Sequence, residues 1–507
     1  MEESATLAIF AESGVQIGTG HVMRCLALGQ AWRRAGGTVI CTLCKDPTGL
    51  VERVREEGFA VNVLPEAENF PGAIAETLRC FHPAAAVLDG YGFNSREQAL
   101  LKEAGVPTLF LDDYGHASYY SADWVLNQNL YANPEIYAQR NPETKLLLGP
   151  SYSLLRSEFL PWISWQREIP SRASRILVTM GGSDAANVTS RIVLSLSELA
   201  KVHDDGFEAV VAVGSANPHV GAIRRAAEQS SSGIRIVENA QDMPALMAWA
   251  DIAVAAAGGT ALELCFFGVP SLLFVAAENQ RQAAESLARI GAAVHAGSTE
   301  QFDAGKFLGE LRALLASRER RDAMSKKGRE LVDGLGSERV CAALMGRELR
   351  LRRARENDCR LLFDWANDPA TRAGSFHPAP IPWEEHRRWL ADRLRDSQCV
   401  LYIGETDAGA AVGQVRFQYL GKKAMLSVSV APEFRGAGWG AALISFSIRA
   451  LVRTHGVSQI DAQVKPSNEA SVRLFRKSGF RQIATETIAG QSALRFAWQC
   501  EMGAHAA

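Results

Sequence analysis

The chain lacks several features that would place it in specialised classes. Its apolar runs are strand-length, well short of the ~20 residues that a membrane-spanning helix needs. It opens MEESATLAIF, without a basic stretch, an apolar run and a small-residue cleavage site, so no secretory leader is expected. Charge of one sign is absent in bulk: over 507 residues the formal net charge is -2, which gives no reason to expect nucleic acid or an anionic membrane as partner. No low-complexity segment interrupts the chain. Cysteine is sparse and scattered, at Cys25, Cys41, Cys44, Cys80, Cys265, Cys341, Cys359, Cys399 and Cys500, an odd count that argues against a disulfide framework. Cys41 and Cys44 form a C-x-x-C inside the apolar run TVICTLC, but no second pair or nearby histidine completes a zinc site. No metal site is expected, and the chain reads as a cytoplasmic protein.

What is present is ordinary globular material. The hydrophobic share is 47% and the charged share 22%. At ~150 residues per domain, the length suggests about three domains. The first 350 residues alternate short apolar runs with helical stretches. LAIFAE, TVICTLC, AVNVL, AAAVLDG and PTLFLDD read as strands. VMRCLALGQAWRRAGG and the stretches around 50–57 and 95–105 read as helices. Such alternation implies a parallel sheet with helices on both faces. The pattern weakens near 130–170, where Pro134, Pro142, Pro150, Pro161 and Pro170 fall. It restarts at RILVTMGG and continues through EAVVAVG, GIRIVE, DIAVAAAGG and PSLLFVA. Residues 300–349 are helical and charged. Then LRRARENDCRLLFDWAND begins a unit of different texture, with strands VLYIGE, AAVGQVRFQ and AMLSVSVA before the helical AALISFSIRALVRTHG.

The expected organisation is therefore a pair of doubly wound Rossmann-type domains, 1–155 and 156–349, followed by an α+β domain, 350–507. Two doubly wound units leave a cleft at the carboxyl ends of their strands, where open α/β sheets bind ligands.

Three glycine turns sit at such strand ends. Gly18-Thr19-Gly20-His21 follows the first strand and opens a helix. Glycines permit a tight turn and close approach of a ligand, and the amino end of a helix suits phosphate. A dinucleotide fingerprint would read G-x-G-x-x-G; here the third glycine is missing, and His21 and Arg24 follow instead. A histidine at a ligand-facing helix start is placed for general base work, though a capping or core role is the alternative. Gly181-Gly182-Ser183-Asp184 follows a second strand. Gly258-Gly259-Thr260 follows a third, with Glu263 one turn into the helix, where a carboxylate can accept ribose hydroxyls. Any one Gly-Gly pair is usually an ordinary strand–helix turn; several at neighbouring strand ends suggest a nucleotide-sugar cleft. In the last unit, Arg435-Gly436-Ala437-Gly438-Trp439-Gly440 lies between a strand and a helix, the R-G-x-G-x-G turn that wraps a diphosphate with backbone amides.

IGTGHVMRCLAL, VLDGYGF, GPSYSLLRSEF, GGSDAANVT, AAGGTALELCFFGVPSL and AENQ together resemble the UDP-2,4-diacetamido-2,4,6-trideoxy-β-L-altropyranose hydrolases of pseudaminic acid synthesis. Those enzymes share the two-domain GT-B fold of glycosyltransferases. The resemblance runs from residue 6 to about 345. It implies that His21 activates the water that displaces UDP with inversion. It also implies that Gly18, Gly20, Arg24, Gly181, Gly182, Gly258, Gly259, Thr260 and Glu263 serve the UDP-sugar. Asp89 and Tyr91 match the sugar side, and Asn279 and Gln280 a further segment of the same cleft. One departure stands out. The family's Arg-x-Asp before the glycine loop is replaced here by Phe10-Ala11-Glu12-Ser13-Gly14.

The R-G-x-G-x-G turn and KPSNEASVRLFRKSGF resemble the GNAT acetyltransferases. WANDPATRAGSF and HPAPIPWEEHRRWL resemble the subgroup that acetylates amino sugars. That resemblance implies acetyl-CoA as co-substrate, held by Val430, Arg435, Gly436, Gly438 and Gly440, with Asn468 at its pantetheine end. Many relatives carry a tyrosine general acid where this chain has Phe475, so either another group protonates the thiolate or the unit is weak. His377 and Glu405 are candidate bases, each equally readable as an ordinary surface or strand-end residue. Trp365, Trp383 and Trp389 suit a core better than a substrate wall. The implied protein is a bifunctional UDP-sugar hydrolase and N-acetyltransferase of pseudaminic acid synthesis. The alternative is a glycosyltransferase of the same fold with an idle acetyltransferase unit.

Overall fold

The computed structural model describes residues 5–12, 19–44, 49–65, 70–202, 206–228 and 233–500. Gly18, one of the expected ligand-binding glycines, lies outside them. The chain forms two compact units. One comprises Met1–Leu160 with Gln166–Leu344, and the other Pro161–Trp165 with Met345–Ala507.

The larger unit holds two parallel sheets. The first contains β1 (Thr6–Ala11), β2 (Thr38–Cys44), β3 (Ala60–Leu64), β4 (Ala85–Asp89), β5 (Thr108–Leu111), β6 (Trp124–Asn127) and β7 (Lys145–Leu148). Their order is β3-β2-β1-β4-β5-β6-β7 and every pairing is parallel. β1, β4 and β5 are buried almost throughout, which is why they read as unbroken apolar runs. Phe10, Leu88, Phe110 and Val125 face helices on one side of this sheet. Cys41 and Cys44 sit three apart on β2, so their side chains leave opposite faces, and the C-x-x-C forms no site.

The second sheet contains β8 (Arg175–Thr179), β9 (Glu208–Val213), β10 (Gly233–Glu238), β11 (Ile252–Ala256), β12 (Ser271–Val275) and β13 (Val294–Ser298). It is again parallel, in the order β10-β9-β8-β11-β12-β13. In both sheets strand order reverses beside the first strand, between β1 and β4 and between β8 and β11. Such switch points open a crevice at the strand carboxyl ends. Asp89 ends β4, and His21, Gly181, Gly182, Gly258 and Gly259 follow the other three.

The last helix of this unit, Gly336–Leu344, returns to the first helix, Gly20–Arg34. Arg34 pairs with Glu338 at 2.8 Å, and the Ser337 hydroxyl donates to the Leu155 carbonyl at 3.1 Å. Gly336 is required by this return, since a β-carbon there would lie 2.1 Å from the Ser153 carbonyl oxygen.

The smaller unit is a mixed sheet of β14 (Arg350–Arg353), β15 (Cys399–Glu405), β16 (Ala411–Leu420), β17 (Lys423–Val430), β18 (Gln459–Val464), β19 (Arg481–Ile488) and β20 (Gln491–Gln499). The order is β14-β15-β16-β17-β18-β20-β19, antiparallel except for the parallel pair β17 and β18. That pair is joined only from Lys423 to Leu426. Beyond it Ser427–Val430 keep their partners on β16 but have none on β18, so the sheet opens into a V. The architecture is the expected one: two Rossmann-type domains of GT-B kind and a GNAT-like mixed α/β sheet.

Candidate functional site

At the first switch point β1 and β4 run side by side, with Ala11 opposite Asp89. The helix Gly20–Arg34 begins above them and carries His21 and Arg24 on one face, three residues apart. Asp89 is fully buried and His21 is 5% exposed. His21 Nδ1 donates to Asp89 Oδ1 at 2.6 Å, which fixes the tautomer and leaves Nε2 as the basic nitrogen. The His21 ring stands edge-on to Tyr91, centroids 4.7 Å apart.

Arg24 does not reach toward a ligand. Its Nε and a terminal nitrogen grip both oxygens of Asp89, each at 2.7 Å, and its other terminal nitrogen holds Asp113 at 2.8 Å. Burial alone would raise the Asp89 carboxyl, but Arg24 and His21 outweigh it and hold that carboxyl well below the usual range. Asp113 ties the cluster together: it also accepts from Tyr91 at 2.9 Å and from Asn129 at 3.1 Å. Tyr91 in turn accepts from Asn279 Nδ2 at 2.6 Å, across from the second sheet. Sequence reading placed His21, Asp89, Tyr91 and Asn279 in one cleft, and the geometry joins them in one hydrogen-bonded chain. It missed Asp113, although PTLFLDD ends β5 beside β4 and so offered an acid at the same edge.

Glu12 explains the departure from Arg-x-Asp. Its backbone amide donates to the Asp89 carbonyl at 2.9 Å. Its carboxylate accepts from the Gly92 amide at 3.0 Å, and the side chain is 6% exposed. A β-carbon on Gly90 would lie 2.5 Å from Glu12 Cγ, and one on Gly92 2.1 Å from Glu12 Oε1. The longer acid thus braces the loop that carries Asp89 and Tyr91, and among the described residues it forms no hydrogen bond with His21.

The second sheet supplies the facing wall. Gly181 is left-handed at φ 79, and a β-carbon on Gly182 would sit 3.2 Å from the Thr19 side chain, so this turn faces the start of the first helix. Asp184 is structural: its two oxygens accept from the Val188 and Thr189 amides at 2.9 and 3.0 Å, capping the following helix. Gly258 caps the helix Gly259–Phe267, and the space beside Gly259 is open. The Gln280 amide lies 3.4 Å from where a Gly258 β-carbon would be. Thr260 is half-buried in the first turn. Glu263 is not a free carboxylate: Arg156, within GPSYSLLRSEF, holds it at 3.0 Å and also binds Glu158 at 2.6 Å. Burial raises the Glu263 carboxyl above its ordinary value despite Arg156. No group of three or more metal-ligating side chains occurs among the described residues.

In the smaller unit the R-G-x-G-x-G turn follows β17 where the sheet opens. Gly436 and Gly438 are left-handed, at φ 80 and 83, and Gly438 caps the helix Trp439–His455. Gly440 is a packing glycine, with Leu474 and Val430 within 3.3 Å of a β-carbon built there. Arg435 turns inward, donating to the Val430 carbonyl at 3.0 Å and to Asp368 at 2.7 Å. Asn468 caps the helix Glu469–Lys477, and its amide nitrogen would lie 2.7 Å from a β-carbon on Gly374, beside the segment that precedes the Trp383–Arg395 helix. Phe475 is 4% exposed, meeting Phe480 edge to face and stacking on Phe496, inside the core. Of the candidate bases, Glu405 is engaged by Arg352 at 2.7 Å and His377 is exposed. Trp365 is buried, whereas Trp383 is 38% exposed.

Residues 175–334 match the family model described as glycosyltransferase family 28 C-terminal domain, and residues 348–481 match acetyltransferase (GNAT) domain. The chain joins a family 28-like domain to a GNAT domain. It is similar to the spore coat polysaccharide biosynthesis protein SpsG of Bacillus subtilis, 29% identical over 348 residues, 67% of this chain and 97% of that protein. It is also similar to the uncharacterized protein MJ1062 of Methanocaldococcus jannaschii, 23% identical over 493 residues, 94% of this chain and 96% of that one. The spermidine N-acetyltransferase of Vibrio cholerae, solved with CoA and spermine, covers 30% of this chain and 96% of its own at 20% identity and a TM-score of 0.29. The chain is thus an enzyme with acetyltransferase and nucleotide-sugar-type domains. Among the described residues no helix is long and apolar enough to cross a membrane.

Proposed function

We propose that the larger unit hydrolyses UDP-2,4-diacetamido-2,4,6-trideoxy-β-L-altropyranose to UDP and the free sugar, a step of pseudaminic acid synthesis. The observation that carries this reading is the His21–Asp89 couple, 2.6 Å apart, at the strand switch point and facing the glycine turns of the second sheet. His21 Nε2 takes a proton from water as the water's oxygen attacks the anomeric carbon. Asp89 on Nδ1 holds the ring and stabilises the imidazolium that forms. Arg24 is a positioning residue that keeps Asp89 ionised. The C–O bond to UDP breaks on the opposite face, so a single displacement inverts the anomeric centre. The diphosphate lies over the amino ends of the helices that begin at Gly20 and Gly259, whose free amides and dipoles stabilise the departing charge. Gly181, Gly182, Thr260 and Gln280 line the nucleotide side, with Tyr91 and Asn279 on the sugar side. Glu263, if Arg156 releases it on binding, serves the ribose.

The smaller unit, from about residue 350, transfers acetyl from acetyl-CoA to the 4-amino group of the preceding UDP-sugar. The open V beside Val430 admits the thioester, and the amides of Gly436 and Gly438 cradle the diphosphate. The buried Phe475 donates no proton, and a thiolate leaves tolerably without one. The two Rossmann-type domains divide near residue 155, and the larger unit gives way to the acetyltransferase near 349. The Bacillus subtilis relative is a spore coat polysaccharide biosynthesis protein, which supports a nucleotide-sugar substrate.

The family 28 match favours a second reading, transfer of the sugar to an acceptor other than water. Purified protein given the UDP-sugar alone separates the two. Stoichiometric UDP and free sugar support hydrolysis. UDP release that appears only on adding an acceptor supports transfer.

A further inference from the structure

The segment that enters the acetyltransferase sheet brings a second cation to the glycine turn. Arg347 lies three residues before β14, and its guanidinium packs flat against Gly438. A β-carbon there would meet Arg347 Cζ at 2.6 Å and a terminal nitrogen at 2.7 Å. The positive φ is what requires Gly438, and the arginine occupies the space that its missing side chain leaves. Leu349 anchors the segment, packing where a β-carbon on Gly404 of β15 would lie 2.9 Å away.

The charge of Arg347 is unmatched. Its one polar contact among the described residues is the Met345 thioether sulfur at 3.7 Å. Gly438 begins the 17-residue helix Trp439–His455, so the guanidinium sits at the positive end of a helix dipole. A cation there is unfavourable unless an anion lies between the two. Arg435, the arginine of the motif itself, is already committed to the Val430 carbonyl, Asp368 and Thr371.

We propose that Arg347 is a binding residue for the diphosphate of acetyl-CoA, taking the place that the motif suggests for Arg435. The proposal rests on the acetyl-CoA reading above. Arg347 acts on the diphosphate, far along the cofactor from the thioester, so its loss weakens binding and leaves the acetyl-transfer step intact.

The test uses the full chain as parent, Arg347→Gln and Arg347→Lys, each checked for an unchanged melting transition. Titration calorimetry measures affinity for CoA and for dephospho-CoA, which keeps the diphosphate but lacks the 3′-phosphate. For Arg347→Gln the Kd is expected to rise about tenfold to a hundredfold, equally for both ligands, with Arg347→Lys between. Turnover with acetyl-pantetheine, which has no diphosphate, is expected to be the same in all three. Equal CoA affinity in parent and Arg347→Gln overturns the assignment. So does a penalty that vanishes with dephospho-CoA, since Arg347 would then read the 3′-phosphate. A parent chain that binds no CoA overturns the acetyl-CoA reading as well, and that failure is seen before any variant is compared.

Discussion

Asp89→Asn removes one charge and almost no volume from the centre of the larger unit. The carboxylate is fully buried and accepts from His21 at 2.6 Å, from Arg24 twice at 2.7 Å and from Cys25 at 3.4 Å. An amide turns one acceptor into a donor aimed at donors. Arg24 keeps Asp113, so the loss falls at the lower end of the range for a broken buried pair, about 3 kcal/mol at neutral pH. The pH dependence makes the test specific. The folded Asp89 carboxyl is held below its unfolded value of ~3.9, so its stabilisation is complete above that value. As pH falls the unfolded chain takes up the proton first, and the parent loses about 1.4 kcal/mol per pH unit below ~3.9, until the folded carboxyl also titrates. The asparagine variant has no such proton to bind. The stability gap between parent and variant, from denaturant unfolding of both at pH 6 and pH 3, is therefore expected to narrow at pH 3. A gap that stays constant or widens would refute the account of Asp89 as an ionised partner of Arg24 and His21. UDP release by the variant is expected to drop about 10²- to 10⁴-fold, because the amide no longer fixes the tautomer.

Three further outcomes follow from the geometry. Phe475→Tyr places a hydroxyl among Phe480 and Phe496, so it should destabilise by about 1–3 kcal/mol and not raise the acetylation rate, as thermal melts and thioester turnover would show. Asp184→Ala removes two amide bonds at a helix start and should cost about 1–2 kcal/mol in denaturant titrations, with UDP affinity lowered only through the loosened Gly181-Gly182 turn. Glu12→Ala should leave the fold in place by circular dichroism yet lower the rate of UDP release, because the loop carrying Asp89 and Tyr91 loses its brace at Gly92. A rate equal to the parent's would contradict that role.

The parts of the fold that were legible in the sequence are those where burial is complete. β1, β4, β8 and β11 are largely buried apolar runs whose ends carry glycines, His21 or Asp89, so the ligand-facing strand ends were legible, whereas the strand order that makes them switch points was not. β6 and β7 escaped because WVLN and KLLL are short runs without a clear helical stretch after them, and β7 lies between Pro142 and Pro150. β14 and β19 escaped for the opposite reason: as outer strands they are largely exposed, and RLRR and RQIATETI carry little apolar signal. At the site, residue types were legible but their pairings were not. Arg24, Glu263 and Arg435 all look like ligand-binding charges in sequence. Their partners Asp89, Arg156 and Asp368 lie 65, 107 and 67 positions away and appear only when the strands are assembled. Glu12 stands out in the sequence as a departure, but that its extra methylene reaches Gly92 depends on how β1 and β4 pair.

The most direct test of the central claim is UDP release from UDP-2,4-diacetamido-2,4,6-trideoxy-β-L-altropyranose, followed by NMR for the parent chain and for His21→Ala. The account predicts release with an inverted free sugar by the parent. It predicts loss of that release in a variant that still folds and still binds UDP. Undiminished release by His21→Ala, or a product that retains its anomeric configuration, would contradict it.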